Sequence, residues 1–240
     1  MPILTRLKDS ALRFFLPWAC AGCRTALSGL DDEGFCGLCW LKLPRIQGIV
    51  CRRCGLPLKD GGSRCFGCRR HPPPLLIRAA LQYRGCVPGA LYRFKYFGRQ
   101  TLAAPFSRVM AAAWRGYPEL SGPRLLLPVP LSCAGQRRRG FNQAFLLARE
   151  LGKIIALPVL QGLIRARATA PQYRLGKEQR RKNILGAFAV SPDEGAGVKG
   201  NSILLIDDVC TTASTLAECA FVLRRAGAAR VQALVLARDS

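Results

Sequence analysis

Apolar residues in this chain gather in short unbroken runs, and the stretches between them carry a helical period. Ile203-Leu204-Leu205-Ile206 is four apolar residues in a row with β-branched Ile at both ends. That is the habit of a strand buried on both faces of a parallel sheet. A second run, Arg124 to Pro130, is stopped by proline, and a third extends from Val231 to Ala237. Residues 76–84 read as one more strand, and 184–190 return to strand before a turn-rich connector over 191–200. Between these runs lie a helix from about Pro88 and an Ala-rich helix over 101–114. Further helices carry Phe141, Ala144, Phe145, Ala148, Leu151 and Ile155 on one face, and Leu216, Cys219, Ala220 and Leu223 on another. Strands alternating with helices predict an α/β fold with a parallel sheet.

The segments at the ends of the strands carry the candidate chemistry. Asp207 and Asp208 close the 203–206 run, and adjacent strand residues point to opposite sides, so the two need not share one task. Five small residues come next, Thr211, Thr212, Ala213, Ser214 and Thr215, four of them hydroxylic. Thr215-Leu216-Ala217-Glu218 fits a capping box, which starts a helix at that turn. Such a turn aims backbone N–H groups and the positive end of a helix dipole at a phosphate. The neighbouring carboxylates suit sugar hydroxyls or Mg²⁺. The 124–130 strand feeds a polar loop, 136–143, with Arg137, Arg138 and Arg139, and then a helix. In a parallel sheet both loops lie at the carboxyl ends of strands, where ligands bind. Residues 165–183 are basic and poor in core residues, as in a long functional loop or lid. The segment Arg93 to Arg99 interleaves basic and aromatic residues, which either stack bases and hold phosphates or divide between core and solvent.

The 240-residue chain has room for an ordinary domain and a small one. Its 37 Lys and Arg against 14 Asp and Glu leave a formal charge of +23, which attracts polyanions. Eight of the twelve cysteines form four Cys-x-x-Cys pairs: Cys20/Cys23, Cys36/Cys39, Cys51/Cys54 and Cys65/Cys68, spaced by 12, 11 and 10 residues. Two such knuckles complete a tetrahedral Cys₄ zinc site. The simplest pairing joins the first two pairs and the last two, giving two structural zinc ions, though spacing alone leaves an interleaved arrangement open. His71-Pro72-Pro73-Pro74 reads as a linker, and His71 is the only histidine, which removes Ser-His and Cys-His catalysis. No run is long enough to cross a membrane. Met1 to Cys20 lacks the features of a signal peptide and reads as a short amphipathic helix through Ile3, Leu4, Leu7, Leu12 and Phe15. A cytoplasmic protein with reduced cysteines is expected.

These residues together resemble the ComF (GntX-like) family, a zinc-ribbon head joined to a type I phosphoribosyltransferase domain. The 203–215 stretch is similar to the phosphoribosyl-pyrophosphate (PRPP) motif of those transferases. Arg139-Gly140-Phe141-Asn142-Gln143 after Pro128-Val129-Pro130 resembles the ComF signature, as does the succession Thr169, Gln172, Leu175, Arg180, Asn183 and Phe188. The resemblance implies an α/β parallel-sheet phosphoribosyltransferase-like domain at 73–240, preceded at 1–72 by a helix and a double zinc-ribbon domain. It implies a catalytic pair, Asp207 and Asp208, on the ribose hydroxyls, with Thr211, Thr212, Ala213, Ser214 and Thr215 cradling the 5′-phosphate. Arg137 and Arg139 would face the pyrophosphate, Mg²⁺ would arrive with it, and Arg165, Thr169, Gln172 and Arg180 would belong to the lid. The implied function is Mg²⁺-dependent phosphoribosyl transfer from PRPP in nucleotide or DNA-uptake metabolism. The alternative is a catalytically weak or inactive PRPP-fold protein that binds single-stranded DNA as a competence factor, with a DNA-uptake helicase as a partner. Two residues depart from the motif. Cys210 stands where relatives are commonly β-branched or acidic. Ala213 stands where many carry glycine, and a positive φ there would cost alanine about 1 kcal/mol.

Overall fold

The computed structural model describes residues 19–27, 34–59, 61–167, 179 and 183–239. The amphipathic stretch expected before Cys20, and Thr169, Gln172, Leu175 and Arg180 of the expected lid, lie outside them.

Four parallel strands form the central sheet: β1 (Leu76–Gln82), β2 (Leu125–Pro128), β5 (Ser202–Cys210) and β6 (Arg230–Arg238), in the order β1-β6-β5-β2. The inner strands β5 and β6 are the longest, and Val231 to Arg238 are all buried. Alternation along β5 divides the core. Leu204 and Ile206 face helices α3 (Val87–Tyr96), α4 (Ala103–Gly116) and α6 (Gln143–Ile155), while Ile203 and Leu205 face helix α7 (Ser214–Arg225). Helices α4 and α6 are joined by a hydrogen bond from Ser107 Oγ to the Leu147 carbonyl at 3.0 Å. No helix among the described residues is long and apolar enough to cross a membrane.

The cysteine-rich head consists of two similar units. In each, a Cys-x-x-Cys knuckle is closed by a short bridge, Ala19–Ala26 in the first and Val50–Pro57 in the second. The second cysteine pair of each unit sits at a short helix, α1 (Gly37–Leu41) or α2 (Phe66–Arg70). The first unit shares its core with the body: Phe35 packs edge-on against Phe106, which in turn meets Phe94, both at 5.7 Å between ring centroids. The second unit buries little besides its own cysteines and is held from outside. Ile77 N–H donates to the Arg53 carbonyl at 2.9 Å, and Arg53 Nε to the Pro73 carbonyl at 2.8 Å. Within the stretch that reads as a linker, Pro73 is thus tied to Arg53 of the second ribbon.

Several expectations are corrected. Asp207 and Asp208 do not close β5; pairing with β6 continues to Cys210, opposite Arg238. The arginine loop is partly helical. Ser132 Oγ caps helix α5 (Cys133–Arg139) by accepting from Gly135 N–H at 3.1 Å, and Gly140, at φ +76°, ends it. The 188–190 segment is strand β4, but it pairs antiparallel with β3 (Leu163–Arg165) in a separate two-stranded sheet. The capping box does not form. Helix α7 begins at Ser214, and Glu218 Oε1 instead accepts from Gly186 N–H at 2.8 Å.

Candidate functional site

The carboxyl ends of β2 and β5 open onto a cleft of about 560 Å³. Asp207, Asp208, Thr211 and Thr215 line one wall, and Arg138 and Arg139 line the other. Lys95 and Tyr96 from α3 and Arg165 from β3 complete it. The strand alternation that divides the core sends the two acids to different sides. Asp208 lies on the side of α3, where its Oδ2 is 2.8 Å from Lys95 Nζ. Asp207 lies on the other side and accepts Asp208 N–H at 2.8 Å through Oδ1. Although Asp207 keeps an opening to the cleft, burial and then the charge of Asp208 push its carboxyl up to about 7.

The arginine wall is held by the residues that resembled the ComF signature. Asn142 Oδ1 caps α6 by accepting from Ala144 N–H at 3.0 Å, while its Nδ2 donates to the Val129 carbonyl at 3.0 Å. Buried Gln143 accepts from Arg139 Nη1 at 2.6 Å. Arg138 and Arg139 both donate to the Tyr96 hydroxyl, at 3.2 and 3.0 Å, with each guanidinium 4.9 Å from the Tyr96 ring centroid. The Arg139 Nε is buried without a hydrogen-bond partner among the described residues.

Most of the expected site residues are brought together here, with exceptions. Arg137 is exposed outside the cleft, and Arg138 takes the place expected for it. Arg165 ends a strand and lies over the Phe188 ring at 5.4 Å, as a fixed wall residue. Thr212 and Ser214 engage each other, hydroxyl to hydroxyl at 3.0 Å. Ala213 is buried beneath the turn and has φ +63°. Lys95, Tyr96 and Arg138 join the site beyond the residues expected of it. Their signal was the basic–aromatic interleaving of 93–99 and the run of three arginines.

Each cysteine cluster offers four sulfurs within 4.8 Å of one another: Cys20, Cys23, Cys36 and Cys39 in one, Cys51, Cys54, Cys65 and Cys68 in the other. The Cys23–Cys36 and Cys54–Cys65 sulfurs are 3.7 Å apart, matching the edge of about 3.8 Å expected for a tetrahedron with Zn–S bonds of about 2.3 Å. Backbone N–H groups of Gly22 and Cys36 point at Cys20 Sγ, and that of Cys68 at Cys65 Sγ, at 3.2 to 3.4 Å. Both clusters are consistent with structural zinc, and the pairing is sequential.

Residues 11–70 match the double zinc ribbon domain family. Over 229 residues the chain is 33% identical to DNA utilization protein YhgH of Escherichia coli O157:H7, covering 93% of this chain and 98% of that protein. It is 30% identical over 231 residues to competence protein F of Haemophilus influenzae, with the same coverage. The chain belongs to the ComF family. Among solved structures, the glutamine PRPP amidotransferase of Bacillus subtilis, complexed with ADP and GMP, aligns with 60% of this ComF-family chain and 30% of its own. Its TM-score is 0.40 and its identity 14%.

The turn and the acid pair each have an expected outcome. Alanine at φ +63° is strained, so Ala213→Gly should raise stability by roughly 0.5–1 kcal/mol, the strain released less the entropy glycine loses. A higher urea midpoint at constant slope is the check. Because the folded carboxyl of Asp207 titrates near 7 rather than near 3.8, the folded state binds the extra proton between those values. Stability from this group therefore falls as pH rises across that window. Asp207→Asn should stabilise the unliganded protein at pH 8, and the gain should fade as pH is lowered towards 4 in parallel melts.

Proposed function

We propose that the cleft binds PRPP and that the protein is a Mg²⁺-dependent phosphoribosyltransferase. The observation that carries this reading is the acid pair in the second half of β5, two residues before a hydroxyl-rich turn at a helix N-terminus, in a cleft shared with Arg138 and Arg139. The ribose hydroxyls engage Asp207 and Asp208. The 5′-phosphate sits on the turn from Thr211 to Thr215, under the positive end of α7. The pyrophosphate meets Arg138 and Arg139, whose planar forks suit its oxygens. Mg²⁺ arrives with the pyrophosphate rather than from a protein cage. In the absence of ligand, Lys95 neutralises Asp208, and a ribose hydroxyl competes for the same oxygen.

Displacement at the anomeric carbon builds positive charge on the ribose and negative charge on the leaving pyrophosphate. The acid pair stabilises the first and the arginines the second, from positions set before the ligand arrives. No histidine lines the cleft, so the acceptor brings its own nucleophile. The head stays outside this chemistry, because four sulfurs leave a zinc ion no open position.

A second reading, single-stranded DNA binding, is favoured by a separate groove of about 860 Å³ between the first ribbon and α3. Arg24, Arg93 and Arg99 line it with Tyr92 and Phe97, whose rings are 5.6 Å apart and 56% and 66% exposed, open enough for bases to stack on. The relatives' names, DNA utilization protein and competence protein, fit both readings.

PRPP with Mg²⁺, at a hundred times its dissociation constant, should stabilise the protein by about 2.7 kcal/mol. Asp207→Asn and Asp208→Asn should lose that gain, and an unchanged melt of the native protein counts against the site. Pyrophosphate release with a panel of bases, nucleotides and amines tests turnover. For the groove, the affinity for an oligo-dT strand should fall with salt at a log–log slope of about −0.7 per phosphate held. Tyr92→Ala should weaken it by about 1–3 kcal/mol. Binding indifferent to both would remove this reading.

A further inference from the structure

A phosphoribosyl ligand takes up β5, the turn after it and the arginines beyond β2, which is only part of the cleft. The sheet continues past β5 to β6 and β1. The cleft continues with it, because Tyr83 and Asp239 also line it. These two residues stand at the carboxyl ends of β1 and β6, one position beyond the registered pair Gln82 and Arg238. Their backbones stay in the ladder although both strands have ended. Tyr83 N–H donates to the Arg238 carbonyl at 2.8 Å, and Asp239 N–H donates to the Cys210 carbonyl at 3.0 Å. Buried Arg238 adds a third tie, from its Nη1 to the Asp239 carbonyl at 2.9 Å. Tyr83 is 37% exposed, which leaves a flat aromatic surface at this rim.

Charge divides the cleft along the same line. Its cations are Lys95 from α3, Arg138 and Arg139 from α5, and Arg165 from β3. None comes from the ends of β1 and β6, where the lining side chains are an aromatic ring and a carboxylate. A pyrophosphate is drawn to the arginines. A neutral ring with an N–H donor finds a stacking surface and a hydrogen-bond acceptor at the other end. A ribose held on Asp207 and Asp208 sits between the two ends, since β5 lies between β2 and β6.

We propose that the β1–β6 end of the cleft is the acceptor subsite, and that it takes a planar nitrogen heterocycle bearing a ring N–H. This assignment rests on the phosphoribosyl reading of the rest of the cleft. The heterocycle stacks on Tyr83 and donates its N–H to the Asp239 carboxylate. In the transfer step a ring nitrogen bonds to the anomeric carbon while the bond from that carbon to the pyrophosphate oxygen breaks. The electron pair of the broken bond leaves with the pyrophosphate towards Arg138 and Arg139, and the N–H proton passes to Asp239. With Asp207 and Asp208 occupied by ribose hydroxyls, Asp239 supplies a proton acceptor in a cleft that no histidine lines. Tyr83 sets the specificity, because an aliphatic amine or an alcohol gains nothing from stacking on its ring.

The test uses the full-length, zinc-loaded protein with adenine, hypoxanthine and uracil as planar probes and spermidine and glycine as non-planar ones. Saturation-transfer NMR reads binding, with and without PRPP and Mg²⁺, and pyrophosphate release reads turnover. At least one planar probe should bind and release pyrophosphate, and the non-planar ones should do neither. Tyr83→Leu should raise the KM for that probe at least about fivefold, the lower end of one lost base–aromatic stack, and leave kcat nearly native. Tyr83→Phe keeps the ring and should restore the KM; it also decides the matter if the leucine variant does not fold. Asp239→Asn should lower kcat by about 10²–10⁴-fold, and Asp239→Glu should recover part of it. The melting shift given by PRPP and Mg²⁺ should survive in all four variants. Equal use of the non-planar probes, or native KM and kcat in Tyr83→Leu and Asp239→Asn, overturns the proposal. Binding that Tyr83→Leu weakens, without any pyrophosphate release, upholds the subsite and overturns the transfer step. If PRPP shifts the native melt but no planar probe binds, the subsite falls and the phosphoribosyl reading stands. If PRPP leaves the native melt unchanged, that reading fails, and the NMR signals still judge the heterocycle subsite.

Discussion

A strand buried on both faces has to satisfy its backbone with neighbouring strands and its side chains with two separate cores, and β5 is under that constraint along its whole length. Leu204 and Ile206 belong to the core under α3, α4 and α6, while Ile203 and Leu205 belong to the core under α7. The same alternation, carried two residues further, decides where the acids go. Asp208 emerges beside Lys95 and Asp207 emerges on the opposite side. Two adjacent carboxylates would repel strongly on one face; the pleat separates their side chains and gives each a different environment. The cost of burial falls on Asp207, whose proton affinity rises. Asp208 is ion-paired with Lys95.

The cleft depends on polar residues that are already engaged within the protein. Asn142 and Gln143 look like binding residues by type, yet one caps α6 and ties it to Val129, and the other holds Arg139. Arg139 is then fixed at a second point by Tyr96 from α3. Arginine carries large rotamer entropy, so holding it in place beforehand removes part of the cost of gripping an anion. The wall opposite the acids is thus built by three elements, α3, α5 and α6, that are far apart in the chain.

The head is joined to the body in two ways. The first ribbon contributes Phe35, Leu43 and Cys20 to the larger core, so its folding and that of the body are one event in packing terms. The second has almost no apolar interior and relies on its sulfurs, on Arg78 and on the backbone bond between Ile77 and Arg53. A unit with so little core depends on bound metal for its folding energy, and its anchors to the sheet lie on β1.

The sequence by itself determined the class of fold, the two four-cysteine sets and the acid pair with its hydroxyl turn. These are local signals: unbroken apolar runs, Cys-x-x-Cys spacing, and a strand that passes straight into a helix. The strain at Ala213 was legible too, because a single residue type in a known turn is a local matter. Only the tertiary structure decided which sulfurs share a site, which arginine faces the acids, and what lies beside them. Arg137 and Arg138 are indistinguishable in sequence, and only the direction in which α5 points selects Arg138. Lys95 meets Asp208 from far away in the chain because α3 packs over the end of β5. Glu218 had the spacing of a capping box, but Gly186 offered it a backbone N–H and the helix already begins at Ser214. Long-range pairing and the competition between equally suitable partners are settled by packing, and no window of sequence contains them.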